Sequence, residues 1–266
     1  MGTPRESIRL VDEHGTLRLL TVKTGVDHTA SLTAYSAKKA RALDEEDLCG
    51  YVLKKDSPSC GMTRVKVYSG KGPGTRTGVG VFAQALLTRF PQLPVEEEGR
   101  LIDPRLRDNF IERVFAYRRL RDLFESRWAA GDLVAFHTAH KLVLLAHSTE
   151  AYRTLGRLVA GAKAADRPSL RQRYTAQFMD ALTAIATPKR HTNVLQHMAG
   201  YFKNVLEPAS RAELQAAIED YRLGLVPLIV PITLIRHHVR VHDITYLAGQ
   251  VYLSPHPKEL MLRNHV

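Results

Sequence analysis

The chain has 266 residues, 44% of them hydrophobic, enough for a sizeable core and for one or two domains. It holds 38 Lys+Arg against 27 Asp+Glu, a net charge of +11, so a polyanionic partner is one class to weigh. Two cysteines exclude a disulfide scaffold, no stretch of about eighteen apolar residues could span a bilayer, and no N-terminal run reads as a signal peptide, so a reducing cytoplasm is the expected location, with no membrane partner.

Ile8–Val11 and Leu17–Val22 read as strands around the turn Asp12-Glu13-His14-Gly15. The segment 29–48 predicts a helix with Leu32, Tyr35, Ala40 and Leu43 as apolar positions. Tyr51–Leu53 reads as a buried strand that runs into Lys54-Lys55-Asp56-Ser57-Pro58-Ser59-Cys60-Gly61. Pro58 fixes its own φ there, and Gly61 permits a turn that other residues resist. The Cys60 sulfur is therefore expected on a rigid loop at a strand end, where α/β folds place ligands and catalytic groups. Cys49 sits before the same strand and reads as a buried thiol. Five or six strand residues between the two would part the sulfurs by more than about 15 Å. Val65–Tyr68 is a further strand. The glycine-rich stretch 70–80 has no Walker spacing; it is either a backbone that approaches an anion or cluster, or plain flexible loop. Gly78 to about Phe90 predicts a helix, and Glu96-Glu97-Glu98 a solvated charge run.

Character changes near residue 102, where Asp103 can cap and Pro104 can open a helix. From there the text is helical almost to the end. Helices are predicted over about 107–129, with Phe110, Val114, Tyr117, Leu120 and Phe124 as the apolar stripe, then a break at Gly131-Asp132, then 133–147, 149–162, 169–186 and 191–205. Another spans 210–223 with Ser210 and Glu213 as a capping box, and a last one runs through His237 to Leu253. Trp128 reads as core. The fold class is thus α/β, with a partial Rossmann-like parallel or mixed sheet over residues 1–102, followed by an all-α bundle over 103–266.

Residues 117–266 hold 20 Lys+Arg against 12 Asp+Glu, and ten of the 12 histidines lie there. His137, His140 and Lys141 share a helical face, and His238 and His242 form an i, i+4 pair. Three readings stand open for the histidines: cleft-lining donors, satisfied core residues, or metal ligands. Arg190, His191 and Asn193 form a donor set at a helix start, suited to phosphate or to a capped, solvated end. Tyr201 and Phe202 nearby could stack a base.

The run Gly50 to Met62 resembles the third cysteine motif of the thiouracil desulfidase family. The segments Gly2-Thr3-Pro4-Arg5-Glu6, Thr24-Gly25-Val26-Asp27-His28-Thr29, Gly78-Val79-Gly80-Val81-Phe82 and Pro94-Val95-Glu96-Glu97-Glu98-Gly99 extend the likeness over roughly the first hundred residues. The resemblance implies a [4Fe-4S] cluster on three cysteines and a non-redox exchange of C–S for C–O on a thiolated pyrimidine or nucleotide. It implies Cys60 as the iron ligand and Ser57 as the catalytic serine; it makes one of the three glutamates a candidate for lining the pocket. Two of the three expected cysteines have no counterpart, so this chain alone is expected to bind no cluster and to be inactive. The remainder of a longer protein is the expectation, ahead of a variant that has lost the cluster. The second half resembles the YbgA-like helical domain, through Arg127–His137 and on to His147, Lys189–Met198, and Pro227-Leu228-Ile229-Val230-Pro231 with Arg236-His237-His238. A non-enzymatic helical module that binds RNA such as tRNA, other nucleic acid or a protein is the alternative. His137, His140, Arg190, His191 and Asn193, with Ser59 and Gly61, are candidate substrate or anion contacts.

Overall fold

A computed structural model of the protein describes residues 6–69 and 72–266. Residues 2–5 of the Pro-Arg-Glu segment, and Gly70 and Lys71 of the glycine-rich stretch, lie outside them. The chain divides into two compact units, Met1–Ile102 and Asp103–Val266. The first is α/β and the second all-helical, in agreement with the fold class read from the sequence. No helix among the described residues is long and apolar enough to cross a membrane.

In the α/β unit, β1 (Ile8–Glu13) and β2 (Thr16–Thr21) form a hairpin. His14 and Gly15 both take positive φ (58° and 83°), and the Asp12 carboxylate accepts the Gly15 N–H at 2.8 Å. That is the chemistry a two-residue hairpin turn demands. β1 pairs in parallel with β4 (Val65–Tyr68), which pairs antiparallel with β5 (Thr75–Gly78), giving the order β2-β1-β4-β5. A separate parallel pair joins β3 (Tyr51–Leu53) to β6 (Val95–Glu97). Leu10, Leu19, Val65 and Val67 form the core of the larger sheet. The helices α1 (Thr29–Ala42) and α2 (Val81–Arg89) pack on each other.

Several elements differ from expectation. α1 ends at Ala42 and continues only as a turn of 3-10 helix, Leu43–Glu45. β5 and β6 were hidden by their polar residues. Gly78 belongs to β5, where it pairs with Val65, rather than to the following helix; a side chain there would meet Val67 Cγ2 at 2.6 Å and Leu10 Cδ1 at 3.1 Å. β3 is only three residues long, and Val52 within it is 49% exposed, so it is not a buried strand. Asp56, with φ 57°, lies in the turn after it. The sulfur-to-sulfur estimate, which assumed five or six strand residues, therefore loses its basis. Cys49 is half-buried, not buried.

The helical unit comprises α3 (Pro104–Glu125), α4 (Ala130–His147), α5 (Thr149–Ala160), α6 (Arg167–Ala181), α7 (Pro188–Ala199), α8 (Pro208–Arg222), α9 (Ile229–Val241) and the short α10 (Thr245–Ala248), followed by 3-10 turns. Side chains of Asp103, Ser148, Asp166 and Thr187 each accept first-turn N–H groups, and proline opens α3, α7 and α8. The predicted break at Gly131-Asp132 lies instead inside the first turn of α4, where Asp132 reaches back to the Ala129 N–H at 2.7 Å. Ser210 does not cap α8, which starts at Pro208 after Glu207. The last predicted helix is broken at Asp243, whose φ is 50°. One contiguous core runs through the unit, with Leu120, Phe124, Leu142, Tyr174, Phe178 and Leu195 among its members. Trp128 packs partly buried against it, edge-on to Phe124 with ring centres 5.0 Å apart.

Candidate functional site

The turn from Ser57 to Gly61 is built on hydrogen bonds to short side chains and backbone. Ser57 Oγ accepts the N–H groups of Ser59 (3.3 Å) and Cys60 (3.2 Å), and the Ser57 carbonyl accepts the Gly61 N–H (2.8 Å). Ser59 Oγ lies 3.0 Å from Ser57 Oγ and 3.3 Å from Cys60 Sγ. The whole turn sits on the N-terminus of α2. The Pro58 carbonyl accepts the Val81 N–H, and the Ser59 carbonyl accepts the N–H groups of Phe82 and Ala83. Three of the four N–H groups that a helix start leaves free are thus used by the cysteine turn. Gly80 is obligatory here, since a Cβ would lie 2.5 Å from the Ser59 carbonyl carbon. Gly61 is buried with both backbone groups used, its carbonyl accepting the Gly80 N–H at 2.8 Å. It cannot also hold a ligand through its backbone N–H, and its part is close packing.

Glu96 and Glu97 are buried, 5% and 2% exposed, which corrects the reading of a solvated charge run. Glu97 accepts the Met62 N–H at 2.8 Å, and Glu96 accepts its neighbour's N–H and pairs with Arg100 at 2.7 Å. Glu98, which is exposed, accepts the Lys55 N–H. The acidic run therefore clamps both arms of the cysteine turn. Tyr51 and Phe82 stand at 5.9 Å between ring centres, and burial, then the neighbouring Cys60, raise the Tyr51 phenol. Cys49 Sγ lies 4.0 Å from the Asp47 carbonyl. A cavity of about 880 Å³ lies between the larger sheet and the two helices, lined by residues such as Leu10, Thr33, Val67 and Thr88; Cys60 does not line it.

The structure buries His137, His140 and His191 in the helical unit, and of the pair His238 and His242 only His238. His137 and His140 are 3% and 2% exposed. His137 Nδ1 meets Tyr174 Oη at 3.1 Å, and His140 Nδ1 donates to the Phe136 carbonyl at 2.8 Å while its ring stacks on Phe136. Burial, with the nearby Lys141 charge for His137, lowers both to about 4, so both rings are neutral at pH 7. His191 turns inward to Tyr252 Oη at 2.7 Å and is lowered to about 3 by burial and by Arg263. It is therefore not a surface contact. Arg190 donates to the His147 carbonyl, and Asn193 is exposed, so the expected donor set is divided. No cluster of three or more His, Cys, Asp or Glu with metal-binding geometry occurs among the described residues.

A buried ionic network escaped the sequence reading. His147 Nδ1 meets the Ala184 carbonyl (2.5 Å) and Nε2 meets Glu112 (3.4 Å). Burial would raise the Glu112 carboxyl, but the hydrogen bond to His147 and the nearby Arg263 outweigh it and lower it. Asp108 pairs with His256 at 3.2 Å. A signal was available: Asp108, Glu112, Ala116, Leu120 and Phe124 recur every four residues and all are buried, so the two acids continue the apolar stripe of α3. The predicted stripe members Val114 and Tyr117 are only partly buried.

Two family models match separate parts of the chain. The family model described as 2-thiouracil desulfurase matches residues 1–98, and that described as a protein of unknown function (DUF1722) matches residues 141–257. No solved structure matches the chain. The uncharacterized protein YbgA of Escherichia coli (strain K12) is 35% identical over 161 residues, which cover 60% of this chain and 95% of that relative. With nearly the whole of that relative matched, the chain belongs to the YbgA family.

Proposed function

We propose that the α/β unit is the substrate-handling part of a desulfurase for thiolated pyrimidines, in which water supplies the oxygen of the new C–O bond and the sulfur of the broken C–S bond leaves as sulfide, without net redox change. The match of residues 1–98 to the 2-thiouracil desulfurase family carries this reading. Cys60 is the thiolate donor in it, and Ser57 and Ser59 hold that sulfur on its turn. Tyr51 and Phe82 offer ring faces on which a flat pyrimidine can stack. The residues present do not fit a [4Fe-4S] cluster on three cysteines, because the chain has two, in different loops, and Cys49 faces the Asp47 carbonyl. The cluster therefore needs thiolates that these 266 residues do not supply. On this reading the chain is a piece of a longer enzyme, or works with a partner that supplies them.

The reading is tested by anaerobic titration of the chain with 2-thiouracil and with uracil. Preference for the thiolated base, weakened in Cys60→Ser and unchanged in Cys49→Ser, is expected. Equal affinity for both bases would sink the reading. Reconstitution with iron and sulfide should leave less than one cubane per chain.

A second reading concerns the helical unit alone, and the excess of 20 Lys+Arg over 12 Asp+Glu in residues 117–266 favours it. The unit would bind tRNA or single-stranded nucleic acid through exposed cations such as Lys189, with affinity falling steeply as salt rises. No binding at about 50 mM salt would reject it.

A further inference from the structure

A pocket of about 200 Å³ lies in the helical unit between α9 and the final turns of the chain. At ~30 Å³ per water this is room for about seven waters, below the usual size of a pocket for a whole metabolite. Its polar lining includes Arg236, His256, Lys258 and Arg263, and no acidic residue lines it among those described. Arg236 and Lys258 are exposed, whereas Arg263 is 4% exposed.

Arg263 is the unusual member. Its Nη1 donates to the Tyr252 carbonyl at 2.5 Å, and the guanidinium lies over the Tyr252 ring. Its Nε and Nη2 are buried without a hydrogen-bond partner. Glu112 Oε1 stands 3.6 Å from Nη2, beyond hydrogen-bond range, and is itself unpartnered. Buried guanidinium N–H groups ordinarily find acceptors. His256 also lines the pocket, its two nitrogens facing Asp108 Oδ1 and the Pro257 carbonyl, each at 3.2 Å.

We propose that this pocket binds a small oxyanion, a carboxylate or a phosphate group, anchored on the buried edge of Arg263 and steered in by Arg236 and Lys258. A guanidinium edge suits two oxygens of such a group. The pocket's size fits either a free ion or the acid end of a larger molecule. The competing occupant is water bridging Arg263 to Glu112.

The test is calorimetric titration and thermal unfolding of the full chain with inorganic phosphate and with acetate, against chloride at matched ionic strength. Saturable binding with a rise in Tm is expected for one of the two, and which one identifies the oxyanion. Arg236→Gln with Lys258→Gln should weaken it about tenfold and leave the fold intact, since both side chains are exposed. Arg263→Gln should abolish it; should that variant fail to fold, the double variant decides. Stabilisation that follows ionic strength alone, or an unchanged Kd in the double variant, overturns the proposal.

Discussion

In the α/β unit the residues with chemistry lie within five positions of one turn, and backbone hydrogen bonds hold them. In the helical unit they come from places as distant as Asp108 and His256, and the packing of helices gathers them. The first arrangement leaves Cys60 half-buried, whereas the second seals Glu112, His147 and Arg263 in the core. A loop site of the first kind tolerates substitution at modest cost because solvent is near. A sealed network of the second kind does not, because a charge left without its partner stays desolvated.

The comparison predicts the largest effect for pH. His137, His140 and His191 are neutral in the fold, with pKa lowered to about 4, 4 and 3, against about 6.5 when unfolded. Their contribution is fully present above about pH 6.5 and is lost as the pH falls towards 4, because the unfolded chain takes up the protons first. Each imidazole withdraws up to about 1.4 kcal/mol per pH unit. The helical unit should therefore lose several kcal/mol between about pH 7 and 5, as read by its thermal midpoint. His140→Asn should shallow the slope. A flat profile would break the picture of a sealed unit.

Glu112→Ala comes next. It leaves Arg263 buried without its counter-ion and His147 without its hydrogen-bond partner, and should cost about 3–5 kcal/mol in urea unfolding. A loss below about 1 kcal/mol would show that water already reaches the network.

Gly80→Ala should cost about 1–3 kcal/mol, since its Cβ would press on the Ser59 carbonyl. Its signature is local: the transition of the α/β unit moves and that of the helical unit does not. Ser57→Ala should have the smallest effect, about 1 kcal/mol, through loss of the acceptor for the Ser59 and Cys60 N–H groups. Alkylation of Cys60 should speed up in this variant while that of Cys49 keeps its rate; equal rates before and after would mean that Ser57 does not hold the turn.

The same contrast explains what could be read from the chain in advance. The turn at Cys60 was legible because its residues are contiguous and Pro58 and Gly61 punctuate them. The helical character of the second half was legible from periodicity. Strands β5 and β6 were not, because Thr75-Arg76-Thr77-Gly78 and Val95-Glu96-Glu97 lack the apolar alternation that marks a strand. The burial of Glu96 and Glu97 depends on the Arg100 side chain and on N–H groups such as that of Met62, some 35 residues away, and composition does not show such partners. The Glu112 network was missed for a related reason. Arg263 was counted towards a basic surface, although it is buried.

The donation of the Val81, Phe82 and Ala83 N–H groups to Pro58 and Ser59 makes the start of α2 and the cysteine turn one opening unit. Hydrogen–deuterium exchange at those three amides should then report whether the turn is closed. Their protection would rise and fall with the accessibility of a sulfur some twenty residues earlier in the chain, giving a label-free gauge of thiol exposure that requires no chemistry at Cys60 itself.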